Sequence, residues 1–172
     1  EVDSITDLPK SCFNGFRVKV KGDVELVQDD YYVKFVSKDS QTFGEGSWEE
    51  DIGPSQDTHI DPATMPLKLV PTYDSNGYVT SYTLSTVSWT ERKVGDDDTN
   101  AFPSFVTTDS ADPRKITDIF FYKNRLGFLS GQNVIFSEAD NYDNFFRTTV
   151  LTLLDSAPID VGVSHTKVSL LK

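Results

Sequence analysis

Residues 116–136, "ITDIFFYKNRLGFLSGQNVIF", contain three short apolar runs: Ile116 to Tyr122, Leu126 to Leu129 and Val134 to Phe136. Asn124-Arg125 and Ser130-Gly131-Gln132-Asn133 separate them, and both are turn-forming. Runs of this length, rich in Ile, Phe, Tyr and Val and closely punctuated, predict strands joined by tight turns. Three such strands make most of a β-propeller blade or of a sheet meander.

Working outward, the same alternation appears near the start of the chain. In "FRVKVKG" (16–22), Phe16, Val18 and Val20 are expected to face a core while Arg17, Lys19 and Lys21 face water. "YYVKFVSKD" (31–39) repeats the pattern between turn-forming residues, and "TFGEGSWEED" (42–51) reads as a third short strand carrying Phe43 and Trp48. Residues 53–71 hold four of the eight prolines, which predicts an irregular connector with one helical turn after Asp61-Pro62. Ser75-Asn76-Gly77 then signals a hairpin with a primed turn. Downstream, Tyr142, Phe145 and Phe146 are spaced i, i+3, i+4, as in a short helix or an aromatic-anchored loop. The end of the chain, from Thr152, predicts a Pro-marked turn and a strand pair. The fold class expected is mainly β with minor α: an antiparallel meander region over 1–94 with a Pro-rich connector, then a propeller-like region over 95–172.

Composition narrows the function. The formal net charge is -11, and residues 1–58 alone carry 13 acidic and 6 basic groups, which opposes a phosphate-binding role. The single cysteine, Cys12, has no partner for an internal disulfide, and no Cys/His array with zinc spacing is present. No run approaches the roughly 18 apolar residues a membrane span needs. The chain begins at Glu1 and ends in the apolar "KVSLLK", which we read as a piece of a longer, truncated polypeptide.

The stretch with the most chemistry to test is "GDDDTNAFPSF" (95–105). Asp96, Asp98 and Asn100 have the 1, 3, 5 spacing of a calcium loop, but Ala101 and Thr107 stand where that loop needs Gly and Glu. Side chains that hydrogen-bond nearby backbone N–H groups are the stronger reading. His59 and His165 lie in unrelated contexts, and no nucleotide loop or nucleophile motif is present. Neither a catalytic residue, a metal ligand, a cofactor nor a small-molecule substrate is therefore assigned. Arg125, set in an apolar hairpin, is expected to pack over aromatic rings and pair with a carboxylate, or to make an intersubunit contact. Trp48 and Trp89 are read as core or edge anchors before sugar platforms. The candidates for a structural joint or interface are Asp96, Asp97, Asp98, Asn100, Phe102, Phe105 and Arg125, with the carboxylates ordering the turn and the two Phe rings pinning it to the core.

Six segments in register, "YYVKF" (31–35), "PATMP" (62–66), "VGDDDTNAFPSF" (94–105), "ITDIFFYKNRLGFLSGQNVIFS" (116–137), "YDNFF" (142–146) and "LLDSAPIDVGVSH" (153–165), resemble the tail nozzle proteins of short-tailed bacteriophages, the tail tubular protein B family. The resemblance implies a structural virion protein of the phage tail. It implies self-association into a ring of about six copies, contacts with tail adaptor and tail fibre proteins, and a channel through which DNA passes without specific binding. The alternative carried beside it is a carbohydrate-binding or capsule-degrading tail component.

Overall fold

A computed structural model of the chain describes residues 1–23 and 28–163. Among these described residues there are ten strands, and the helical pieces are three-residue 3-10 turns at Ile5–Asp7, Lys38–Ser40 and Pro62–Thr64. The chain is mainly β, as its alternation predicts. The first sheet joins β1 (Ser11–Phe13), β2 (Arg17–Val20), β3 (Tyr31–Ser37) and β4 (Phe43–Asp51) in the order β1-β4-β3-β2, all antiparallel. The second joins β7 (Ile116–Tyr122), β8 (Arg125–Ser130), β9 (Asn133–Phe136) and β10 (Ile159–Gly162) as a consecutive antiparallel meander. Between them, β5 (Lys68–Tyr73) and β6 (Val79–Ser85) form a two-stranded ribbon.

The first core follows from period-two burial. Val18, Val20 and Val33 are buried on one face, with Val2, Leu8, Tyr31 and Trp48 packed against them. Phe35 is fully buried and meets Trp48 edge-on at 5.1 Å. On the opposite face the Asp51 carboxylate accepts from Arg17 and, at 3.2 Å, from Lys34, joining three neighbouring strands. Phe16 departs from expectation: it precedes β2 and is 51% exposed, its carbonyl accepting from Phe35 N–H at 2.8 Å while its ring lies at the rim of the core, edge-on to Trp48 at 6.5 Å.

The second core is built by segments far apart in sequence. Leu126, Phe128 and Ile135 come from the β7–β10 sheet, Phe145 and Phe146 from the loop between β9 and β10, and Phe105 from the loop before β7. Ile60, Val87 and Trp89, from either side of the ribbon, complete it. Trp89, Phe105 and Phe145 surround Phe128 with ring centroids 6.4, 5.0 and 5.4 Å away.

Three local expectations are corrected, and one left open between helix and loop is decided. The connector ends earlier than predicted because β5 begins at Lys68 and includes Pro71. A two-stranded ribbon leaves each strand one open edge, where a missing N–H costs no ladder bond. Its turn is not a primed one: of Ser75, Asn76 and Gly77 only Gly77 has positive φ (82°). Asp74 Oδ1 accepts from the N–H groups of Asn76 and Tyr78 instead, giving a three-residue loop that ends in glycine. The β7–β8 turn is Lys123-Asn124, both at positive φ (48° and 58°), so Arg125 opens β8 instead of sitting in the turn. Residues 142–146 form an aromatic-anchored loop and no helix. Tyr142 stays exposed against Phe121 while Phe145 and Phe146 are buried. Of the expected terminal strand pair, β10 pairs with β9, and the rest lies outside the described residues, as does His165.

Candidate functional site

The turn at Gly95–Asn100 sits where three segments meet. Gly95 pairs with the exit of β4: Gly53 N–H donates to Gly95 O at 2.8 Å, and Gly95 N–H donates to Asp51 O at 3.2 Å. Gly95 has φ +77°, and a Cβ there would lie 2.7 Å from Thr99 Oγ1 and 2.9 Å from Val150 Cγ1, so glycine is required by both backbone and packing. Asp96 then closes the turn. Its Oδ1 accepts from the N–H groups of Asp98 and Thr99 and from the Thr99 hydroxyl at 3.2, 3.0 and 2.9 Å. Asn100 N–H returns to Asp96 O at 2.9 Å.

Asn100 is buried and ties the turn to the far end of the chain. Its amide donates to Val94 O and Arg147 O, and its Oδ1 accepts from Arg147 N–H, at 2.9, 3.1 and 2.8 Å. Beside it, Glu50 of β4 accepts from Thr149 Oγ1 at 2.5 Å and Val150 N–H at 2.9 Å. Residues 147–150 are thereby fastened both to the turn and to the first sheet.

The centre of the arrangement is Arg92, which the sequence reading did not single out. It is 1% exposed, and all five guanidinium hydrogens have acceptors. Nε and Nη2 donate to Asp57 O, Nη2 also to Gln56 Oε1, and Nη1 to Asp97 Oδ1 (2.7 Å) and Asn100 O (3.2 Å). Its guanidinium carbon lies 4.9 Å from the Phe102 ring centroid. Asp97 is largely exposed, so water weakens its pairing with Arg92. The signal available in sequence was slight: an arginine in the polar run Thr90-Glu91-Arg92-Lys93 between Trp89 and Val94, a few positions before the acidic run.

The other predicted residues divide. Phe102 packs edge-on to Phe146 at 5.2 Å, and Phe105 lies 2% exposed between Phe128 and Phe145. Asp98 lends its N–H to the turn, but its carboxylate is exposed and has no partner among the described residues. Asp96→Ala is therefore expected to lower stability by about 1–2 kcal/mol, and Asp98→Ala by less than about 0.5 kcal/mol, as read from urea unfolding midpoints. Arg125 stands apart from the joint. It is buried under the second sheet, donating to Ser137 O, Ala157 O and Asp155 O at 2.7, 2.8 and 2.7 Å, so main-chain carbonyls replace the expected carboxylate.

The features that would support sugar chemistry point elsewhere. Trp48 donates to Pro9 O at 2.9 Å and packs against Phe35, and Trp89 is buried among Phe rings. An open groove of about 1310 Å³ lies beside the joint, with Asp57, Asp61 and Asp97 on its walls together with His59, Arg114 and Lys115. His59 pairs with Glu91 at 3.0 Å. Among the described residues two carboxyls have shifted titration, Asp3 held low by a hydrogen bond from Lys21 and Asp30 by one from Lys19. That is the opposite direction from a general acid, which must keep its proton near neutral pH.

What fold and site define together is a β structural module in which charged side chains hold loops in place. The chain belongs to the bacteriophage nozzle protein family, whose family model matches residues 1–172. It is 36% identical over 169 residues to tail tubular protein gp12 of Escherichia phage T7, a match that covers 98% of this chain and 19% of that protein.

Proposed function

We propose that this chain is a structural part of a phage tail nozzle in the virion: a stretch of the wall around the DNA channel and a mount for neighbouring tail proteins. The observation that carries the reading is the way the joint uses its polar groups. Arg92, Asn100 and Asp96, the residues that most resemble reactive chemistry, spend their hydrogen-bonding capacity on the chain's own loops. Such a network resists displacement of one segment against another, which is what a wall needs, and it presents no unpaired nucleophile or proton donor to a substrate.

Within this proposal Asp96, Asp97, Asn100, Phe102 and Phe105 form the joint between the acidic region 1–94 and the region 95–172. The meander β7–β10 is a propeller-like unit within the latter. The full polypeptide assembles as a ring, binds tail adaptor and tail fibre proteins, and lets DNA slide past an acidic wall, because like charges repel over roughly 8–10 Å in physiological salt. It uses no cofactor. Incubating the full-length protein with host surface polysaccharide should release no reducing ends. Release that rises with protein concentration would contradict the structural reading.

A further inference from the structure

The chain holds two Asn-Gly pairs, Asn14-Gly15 and Asn76-Gly77, and the other five asparagines are each followed by a residue with a side chain. Asn-Gly is the pair in which a backbone nitrogen most readily reaches the preceding side-chain amide, because glycine places no Cβ in the way. Both glycines have positive φ, 81° and 82°, and a Cβ on either would meet nothing within 4 Å. Steric access therefore does not separate the two pairs. Their hydrogen bonds do.

Asn14 is fastened to the first sheet. Its Oδ1 accepts from the N–H of buried Ser37 at 3.1 Å, and its own N–H donates to Thr42 O at 2.9 Å. Gly15 N–H donates to Phe35 O at 2.8 Å, so freeing the Gly15 nitrogen disturbs β3 beside a fully buried ring. Asn76 stands instead at the exposed tip of the β5–β6 ribbon. Its side-chain amide has no hydrogen-bond partner among the described residues, and Gly77 N–H bonds only within the loop, to Asp74 O at 3.1 Å. Opening an exposed three-residue loop costs far less than opening a sheet.

We propose that Asn76 is a self-modifying site, cyclising onto Gly77 and hydrolysing to isoaspartate and aspartate, while the fold protects Asn14 in the same dipeptide. In the first step Gly77 N attacks Asn76 Cγ. The N–Cγ bond forms, the Cγ–Nδ2 bond breaks, and the Gly77 proton leaves with Nδ2 as ammonia. Water then adds to the cyclic imide. Opening at the main-chain carbonyl routes the chain through Cγ with one extra methylene, as isoaspartate, and opening at Cγ leaves aspartate. The imide has no N–H at residue 77, so the bond to Asp74 O is lost. Either product sets a new carboxylate in the same loop as Asp74, and like charges repel there. Since loop length and turn type fix a hairpin's register, the reaction loosens the ribbon from its tip. The chemistry depends on the turn and not on the proposed place in a nozzle.

The test uses the folded full-length polypeptide, held in neutral and in mildly alkaline buffer, sampled over time, digested with trypsin and weighed by mass spectrometry against a zero-time digest. Cleavage after Lys10, Arg17, Lys68 and Arg92 yields peptides 11–17 and 69–92, which contain Asn14 and Asn76 as their sole asparagines. Peptide 69–92 is expected to change from amide to acid at least about tenfold faster than 11–17. It should do so in two chromatographically separate forms, and faster in proportion to hydroxide, since the deprotonated nitrogen attacks. In urea the two rates should converge. An unconverted 69–92, or equal rates in the folded protein, would overturn the proposal. A difference that persists in urea would assign it to the neighbouring residues Phe13 and Ser75 and overturn the role of the fold.

Discussion

Replacing Arg92 with Ala is expected to lower the free energy of unfolding by about 3–5 kcal/mol, the range for breaking a buried charged hydrogen-bond network from one side. The exposed Asp97 can turn to water and contributes little to that loss. Most of the cost lies with Asp57 O and Asn100 O, which lose a charged donor, and with the space left against Phe102. Arg92→Met keeps much of the volume and separates the two contributions: if packing dominated, Met would restore most of the stability, whereas loss of the donors predicts that it restores little. The two tryptophans make the effect local. Trp48 reports on the first core and Trp89 on the second. In urea titrations of variants keeping only one of the two tryptophans, the Trp89 transition should move at least as far as the Trp48 transition, since Ile60, Val87 and Trp89 lie in the segments Arg92 holds together.

Phe105→Ala should cost about 3–5 kcal/mol by a different route, the removal of a large ring from a packed interior and the cavity that remains. Phe105 meets Phe128 at 5.0 Å and Phe145 at 4.9 Å, and its loop is bound to the far end of the chain through Ser104 N–H, which donates to Asp160 Oδ2 at 2.7 Å. Phe105→Leu keeps part of the volume and should recover about half of the loss. Phe102→Ala, at a half-buried ring, should cost less than Phe105→Ala under the same conditions. Equal losses at the two positions would mean that the rings do not pin the turn in the way the packing indicates.

The strands were legible because a sheet with one buried face writes a period of two into its sequence. Val18 and Val20 against Lys19, and Val33 and Phe35 against Lys34, could be read without coordinates. The meander at 116–136 was legible for the same reason, helped by glycine and asparagine at its turns. Phe16 was misplaced because alternation continues past the buried cluster of Val18, Val20 and Val33, out to a ring at its rim. Turn details were less legible: Lys123 adopts positive φ although its side chain does not favour it, and the register fixed by Tyr122 opposite Arg125 decides the matter.

At the joint, the local part was readable and the long-range part was not. Asp96 bonds to groups two and three residues away, so its role follows from spacing. Arg92 reaches Asp57 across 35 positions and Asn100 reaches Arg147 across 47. No periodicity records such pairings, and a lone arginine before an acidic run looks like surface charge until the fold buries it.

The most direct test of the account is imaging of the intact phage tail at side-chain resolution. The account predicts this segment in the nozzle wall, with Arg92 enclosed by Asp57, Asp97 and Asn100, and acidic side chains of residues 1–58 toward the channel. A segment standing outside the wall as an appendage, with the groove beside Asp57 and Asp97 occupied by a glycan, would contradict it.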